Sequence, residues 1–248
     1  MCISLRRATL GIAVLSLISL CPAARAAENE GLDWTVAPYL WAASIGTDLN
    51  AEAPPAGTDS DFSSIIDKID GVFMLRLEGR GDHLGAFVDA LFLSLADGND
   101  QRFSHTESDL DVWLVDSAAV WSPGDDRSRG LGLLAGLRYV DVDLRVRVDP
   151  TNPVFDTATI GTNKGYSDML LGARYTWALS ERWGLTLRGD GSFGDTEGTW
   201  SASAIAQYRT GNGGWLFGYR YLSAEIKTGD SKTEITIGGP MIGYGFSF

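Results

Sequence analysis

A chain of 248 residues with 20 basic and 32 acidic side chains carries a formal charge of −12. That acidity repels phosphate backbones and argues against a nucleic-acid partner. Mean hydropathy is near zero, which fits a soluble protein and equally a transmembrane barrel whose lipid-facing and lumen-facing residues alternate and cancel.

Residues 1–26 read as a signal peptide. Arg6 and Arg7 precede an apolar run from Ala8 to Leu20, too short to span a bilayer, and Ala24 and Ala26 place small residues where a signal peptidase reads. Cys21 raises a lipoprotein alternative, but Leu20 before it is bulkier than a lipobox residue. Cleavage would remove Arg6, Arg7 and Arg25, leaving 17 basic residues against 32 acids, a charge of −15. Cys2 and Cys21 would leave with it, so the mature domain, 27–248, has no thiol or disulfide chemistry. No later apolar run approaches the ~20 residues of a membrane helix, so any membrane passage is by strands.

Strands are expected near 33–46, 71–80, 84–96, 108–122, 130–148, 164–179, 183–194, 199–210, 215–227 and 232–248, because apolar residues recur there with a period of two. Ten strands is the count, with eight left open; the first strand and 108–122 have ambiguous parity. The first long link holds Phe62, Ile65, Ile66 and Ile69 at helical spacing after Asp61, a candidate N-cap. A short helix on the barrel rim, or a lid over its mouth, is expected over Asp61–Ile69.

The segment Leu131 to Tyr139 gives a length check. Its outward set is Leu131, Leu133, Ala135, Leu137 and Tyr139. Nine residues at ~3.3 Å, tilted about 40°, cover ~23 Å of height, close to the ~25 Å apolar band of outer-membrane barrels. The same parity then becomes Asp141, Asp143, Arg145 and Arg147, where the strand would leave the bilayer. Short links near 81–83, 123–129, 180–182 and 211–214 alternate with links near 47–70, 97–107, 149–163, 195–198 and 228–231. That alternation matches periplasmic turns and external loops, with both termini periplasmic. Pro240 cannot donate a ladder hydrogen bond, so a bulge or distortion is expected beside it.

The faces opposite the apolar ones carry Arg76, Glu78, Arg80, Asp89, Asp116, Arg138, Arg174, Arg188, Asp190 and Arg220, interleaved with glycine. A barrel lumen accommodates such charges by pairing them. Aromatics recur at the ends of the apolar stretches, at Trp121, Tyr139, Trp177, Trp183, Trp200, Tyr208 and Trp215, as interfacial girdles do.

Over nearly its whole mature length the chain resembles the small outer-membrane β-barrel proteins of Gram-negative bacteria, in the OmpA-like and opacity-protein-like group. The residues that carry the likeness are Trp34 with Pro38, Tyr39, Leu40 and Trp41; Leu137 to Tyr139; Leu187 to Asp190; Gly218 to Tyr221; and Gly239 through Phe248. The resemblance implies an all-β, antiparallel up-and-down barrel in the outer membrane, amid its lipids and lipopolysaccharide. It also implies that Tyr244, Phe246 and Phe248 form a signal read by the barrel-assembly machinery. It implies no reaction.

Catalytic and metal constellations are weak. An omptin-like protease would need His with acids near the external rim, and His105 with Glu107, Asp109 and Asp111 offers this only superficially. His105 and Ser108 lack the His-x-Ser spacing of a lipid A deacylase, and His83 falls in a predicted periplasmic turn. No palmitoyltransferase motif is recognisable. The segment Asp97 to Asp100 lacks the later glutamate of an EF-hand loop, and turn chemistry accounts for it. No metal or cofactor is expected. The reading is a structural or surface-interaction barrel with a salt-bridge-filled lumen; a narrow channel for small solutes or anions is the alternative, and a hydrolase near His105 the third.

Overall fold

The computed structural model describes residues 31–50, 58–60, 65–101, 104–124, 126, 129–150, 157–228 and 231–248. The signal-peptide expectation therefore lies outside the described residues, as do Asp61 and Phe62 of the expected helix. Of that helix the described residues carry a single 3-10 turn, Ile66–Lys68.

Alternation of apolar and polar side chains builds one antiparallel wall. Its strands are β1 (Asp33–Trp41), β2 (Ser44–Asn50), β3 (Thr58–Ser60), β4 (Ile69–Arg80), β5 (Leu84–Gln101), β6 (Ser104–Trp121), β7 (Gly130–Pro150), β8 (Ala158–Ala178), β9 (Trp183–Gly194), β10 (Gly198–Thr210), β11 (Gly213–Thr228) and β12 (Ser231–Ser247). Each neighbour pairs with the next from β4 to β12, and β1 pairs with both β4 and β12. The sheet is closed. Since β1 and β2 share one register against β12, they form a single interrupted strand, and the wall has ten strands. No helix among the described residues is long and apolar enough to cross a membrane.

The interruption in the first strand falls at Ala42 and Ala43, opposite Gly239 and Pro240. Register does not shift; the distortion expected beside Pro240 takes the form of a gap in the ladder. Ala42 N–H still donates to Pro240 O, at 2.9 Å. Glycine is required beside it: a Cβ on Gly239 would lie 2.0 Å from Ala42 O. The only register shift in β4–β5 lies between Ile69 and Gly71.

Two expected external loops are largely strand. Residues expected to link near 97–107 pair as Asp97 with Ser108, Gly98 with Glu107 and Asp100 with His105. Those near 149–163 shorten likewise, with Val148 paired to Ala158. Beyond the bilayer both faces of a strand are wet, so the ladder continues without the apolar alternation that marks it in sequence. In consequence β5 to β8 rise as a sheet above the membrane, with about 30 Å of strand between Tyr139 and Val148 at ~3.3 Å per residue.

Candidate functional site

Parity sorts the strands whose side chains are described into a lipid face and a lumen face. Leu131, Leu133, Leu137 and Tyr139 are exposed on β7, while Leu134 and Arg138 are buried. The ambiguous strands resolve the same way: Ala37, Tyr39 and Trp41 face inward on β1, and Leu114, Asp116, Ala118 and Val120 inward on β6. A closed barrel with an apolar exterior and a charged interior is stable only if lipid covers its outside. The chain is an outer-membrane-type β-barrel.

Its aromatic residues mark both ends of the apolar band. Trp121, Trp177, Trp183, Tyr208 and Trp215 lie within a few residues of the short turns, and the Trp183 and Tyr208 rings pack in a tilted pair with centroids 5.0 Å apart. Tyr139 and Trp200 lie toward the other end, where Trp200 packs on Tyr221 at 4.8 Å. Phe248 closes the chain beside Trp34, with reciprocal backbone hydrogen bonds of 3.0 and 3.1 Å. Tyr244 and Phe246 pack edge to face at 4.8 Å on the same strand.

The ten charged residues read from sequence form one connected network in the lumen. Register sets its backbone: Arg76, Asp89, Asp116, Arg138 and Asp168 stand in a row across β4 to β8. Arg138, 1 % exposed, is its centre. Its Nε and Nη2 donate to Asp116 at 2.7 and 2.9 Å, Nη2 also to Asp190 at 2.7 Å, and Nη1 to Thr199 at 2.7 Å. Arg188 and Arg220 approach Asp116 Oδ2 at 3.4 and 3.3 Å. Arg188 Nε also lies 2.7 Å from Asp190 Oδ2, close enough for charge attraction but not aligned for an N–H···O bond.

Asp89 links this centre to a second cluster. It accepts from Tyr39 Oη at 2.6 Å and from Arg76 at 3.3 Å, with Arg220 at 3.8 Å. Glu78 then gathers Arg76, Arg80 and Arg174 at 2.9, 2.6 and 2.7 Å. The guanidinium of Arg76 also lies over the Phe87 ring at 4.0 Å, and that of Arg220 over Trp41 at 5.2 Å. Removing one member of such a buried network strands its partners, at a typical cost of ~3–5 kcal/mol.

Asp168 was not among the residues singled out from sequence. It is 2 % exposed and accepts from Ser192 Oγ at 2.9 Å, and from Thr196 N and Oγ1 at 3.1 and 2.5 Å. Its parity matches Gly172 and Arg174, the signal that could have found it.

Also unread from sequence is an apolar layer inside the barrel. Met74, Leu91, Leu114 and Val140 stand in the row next to the charged one, on its external side. Met74, Leu91 and Leu114 form a buried cluster with Trp41 and Leu222 that caps the charges, and the half-buried Val140 packs against it. On the other side, a cavity of 530 Å³ is lined by Arg76, Glu78, Arg80, Arg174 and Arg188 and by Arg209 and Asn212 at the short-turn end.

His105 stands apart, on the extended part of β6, in register with Asp100 and Asp149 and with Nε2 at 3.4 Å from Glu107. Asp111 accepts from Ser94 at 2.5 Å. Asp97 pairs with Lys68 at 2.6 Å within strand structure, so the turn assigned there is corrected. Among the described residues no cluster of three or more His, Cys, Asp or Glu could hold a metal ion.

No protein-family model matches the chain, and no curated protein matches it. Solved structures similar in fold include the outer-membrane protease OmpT of Escherichia coli, with 9 % identity over 89 % of this chain and 97 % of that one, at a TM-score of 0.49. The attachment invasion locus protein Ail of Yersinia pestis matches at 10 % identity over 88 % and 99 %, with a TM-score of 0.36. Neisserial surface protein A matches at 13 % identity over 87 % and 97 %, with a TM-score of 0.31. At these scores the likeness transfers no function.

Proposed function

We propose that the protein is a non-conducting outer-membrane barrel with a structural or surface-interaction role. The observation that carries this reading is the double closure of the lumen. A layer of ion pairs centred on Arg138 is capped by Trp41, Met74, Leu91, Leu114 and Leu222. An ion crossing it would have to displace matched charges and then shed water in an apolar constriction. The surface role falls to the β5–β8 sheet, which presents Asp143, Arg145, Arg147 and Asp149 beyond the bilayer. Outer-membrane lipid and lipopolysaccharide contact the apolar wall in this reading, and the assembly machinery reads Tyr244, Phe246 and Phe248.

Purified, refolded barrel in a planar lipid bilayer is the test. The expected result is no stepwise conductance above the bare bilayer. Discrete anion-selective steps would instead establish the channel reading, which the surplus of lumen arginines favours.

A further inference from the structure

Across the β8–β9 ladder, Arg174 and Arg188 stand directly opposite each other. The row continues through Ser203 on β10 to Arg220 on β11. Like charges directly opposite on one sheet face repel and destabilise the pairing. Here both side chains are about nine-tenths buried, with Arg174 and Arg188 exposed by only 11 % and 10 %. The carboxylates within reach do not balance them. Six guanidinium groups, of Arg76, Arg80, Arg138, Arg174, Arg188 and Arg220, share the four carboxylates of Glu78, Asp89, Asp116 and Asp190. With Asp168, buried in the same row, the count among the described residues is six against five, and the cavity wall itself carries Arg76, Arg80, Arg174, Arg188, Arg209 and Arg220 against the acidic side chains of Asp33, Glu78 and Asp89. Among the described residues Arg174 meets a carboxylate only at Glu78, which it shares with Arg76 and Arg80.

The surplus adjoins the cavity. Arg174, Arg188, Arg76 and Arg80 line it together with neutral hydrogen-bonding side chains such as Ser203 and Gln207. Its 530 Å³ lies within the ~300–1,000 Å³ range of small-molecule sites. Arg209 and Asn212 lie at its short-turn end, which is periplasmic in barrels of this kind. Buried surplus charge calls for a counter-charge, and planar guanidinium groups match carboxylate and phosphate oxygens in pairs.

The geometry points to a blind, periplasm-facing binding site for a small anion bearing two or more carboxylate or phosphate groups, clamped between Arg174 and Arg188. That the site is closed at its external end rests on the closed-lumen reading proposed above; the anion binding does not depend on it.

Calorimetric titration of the refolded full-length barrel in zwitterionic micelles, at low ionic strength, tests this with citrate, pyrophosphate and acetate. One saturable site per barrel is expected for citrate and for pyrophosphate, weakening as salt rises, with acetate at least tenfold weaker. Arg174→Gln and Arg188→Gln should each weaken citrate at least tenfold, while Arg145→Gln on the external sheet leaves it unchanged. The heat-modifiable gel shift verifies folding of each variant. A second measurement needs no variant: pyrophosphate should raise the melting temperature of the wild-type barrel above that in acetate of equal ionic strength. No saturable binding with an unmoved melting temperature would overturn the site. Affinity insensitive to both lumen substitutions would do so as well. A barrel that binds yet conducts would sink the closed-lumen reading and leave the site standing.

Discussion

Arg138 on β7 and Asp116 on β6 are register partners, and their side chains meet in a two-point pair of 2.7 and 2.9 Å with almost no exposure on either. Asp116 also receives Arg188 and Arg220, so one carboxylate holds three guanidinium groups together. Asp116→Asn should therefore destabilise the barrel by ~3–5 kcal/mol, more than the loss of any single exposed pair. Urea unfolding in micelles, followed by tryptophan fluorescence, reads this directly. A loss below ~1 kcal/mol would mean that the three arginines find solvent, and that the lumen is wetter than the burial implies.

Gly136 on β7 lies against the β6 backbone with no room for a side chain: an added Cβ would lie 1.9 Å from Ser117 O and 2.5 Å from the Ala118 Cα. Backbone atoms cannot yield as a flexible side chain can. Gly136→Val should block folding, seen as loss of the heat-modifiable band, while Gly189→Ala, whose Cβ would meet nothing within 4 Å, should fold normally.

Leu137 lies on the lipid face between Ala135, at the middle of the apolar band, and Tyr139 at its edge, and is 58 % exposed to what is membrane in the cell. Leu137→Arg is expected to cost ~1–3 kcal/mol in a refolding equilibrium with lipid vesicles, between the midplane and interfacial penalties for a cation. Arg145→Leu, on the same parity above the membrane, should change stability by less than ~0.5 kcal/mol.

How much of this was legible depended on which solvent each face meets. Leu131 to Tyr139 could be read because lipid on one side and charges on the other enforce strict alternation. The ten lumen charges followed from the same parity. The 108–122 segment resisted because Leu114, Ala118 and Val120 face inward, where polar residues are expected. The apolar cap was hidden for the same reason, since its members occupy lumen parity and break the rule by which strands are recognised. Asp97 to Asp100 failed differently. With water on both faces, strand and turn share a composition, and pairing to Glu107 and Ser108 is a fact of topology.

On the external sheet, Asp149 accepts a 2.6 Å hydrogen bond from Thr157 and pairs with Arg147 at 3.0 Å. The Thr157 hydroxyl first, and then the Arg147 charge, hold its carboxyl below the usual carboxylate range. A depressed folded value means the contact stabilises above the unfolded pKa and fades as pH falls through the folded one. Thr157→Ala should move the Asp149 titration upward in a carboxyl-carbon NMR experiment, and an unchanged curve would assign the shift to the Arg147 and His105 charges.

The seam between the first and last strands joins residues about 200 positions apart: the Trp41 indole donates to Gly239 O, and Trp34 exchanges hydrogen bonds with Phe248. Loop-closure entropy makes such distant contacts slow to form. The wall cannot close until β12 has been brought round to meet β1. Until then the growing sheet carries two open edges and an apolar face in water, so the chain's greatest exposure to aggregation falls in the interval before its last strand arrives.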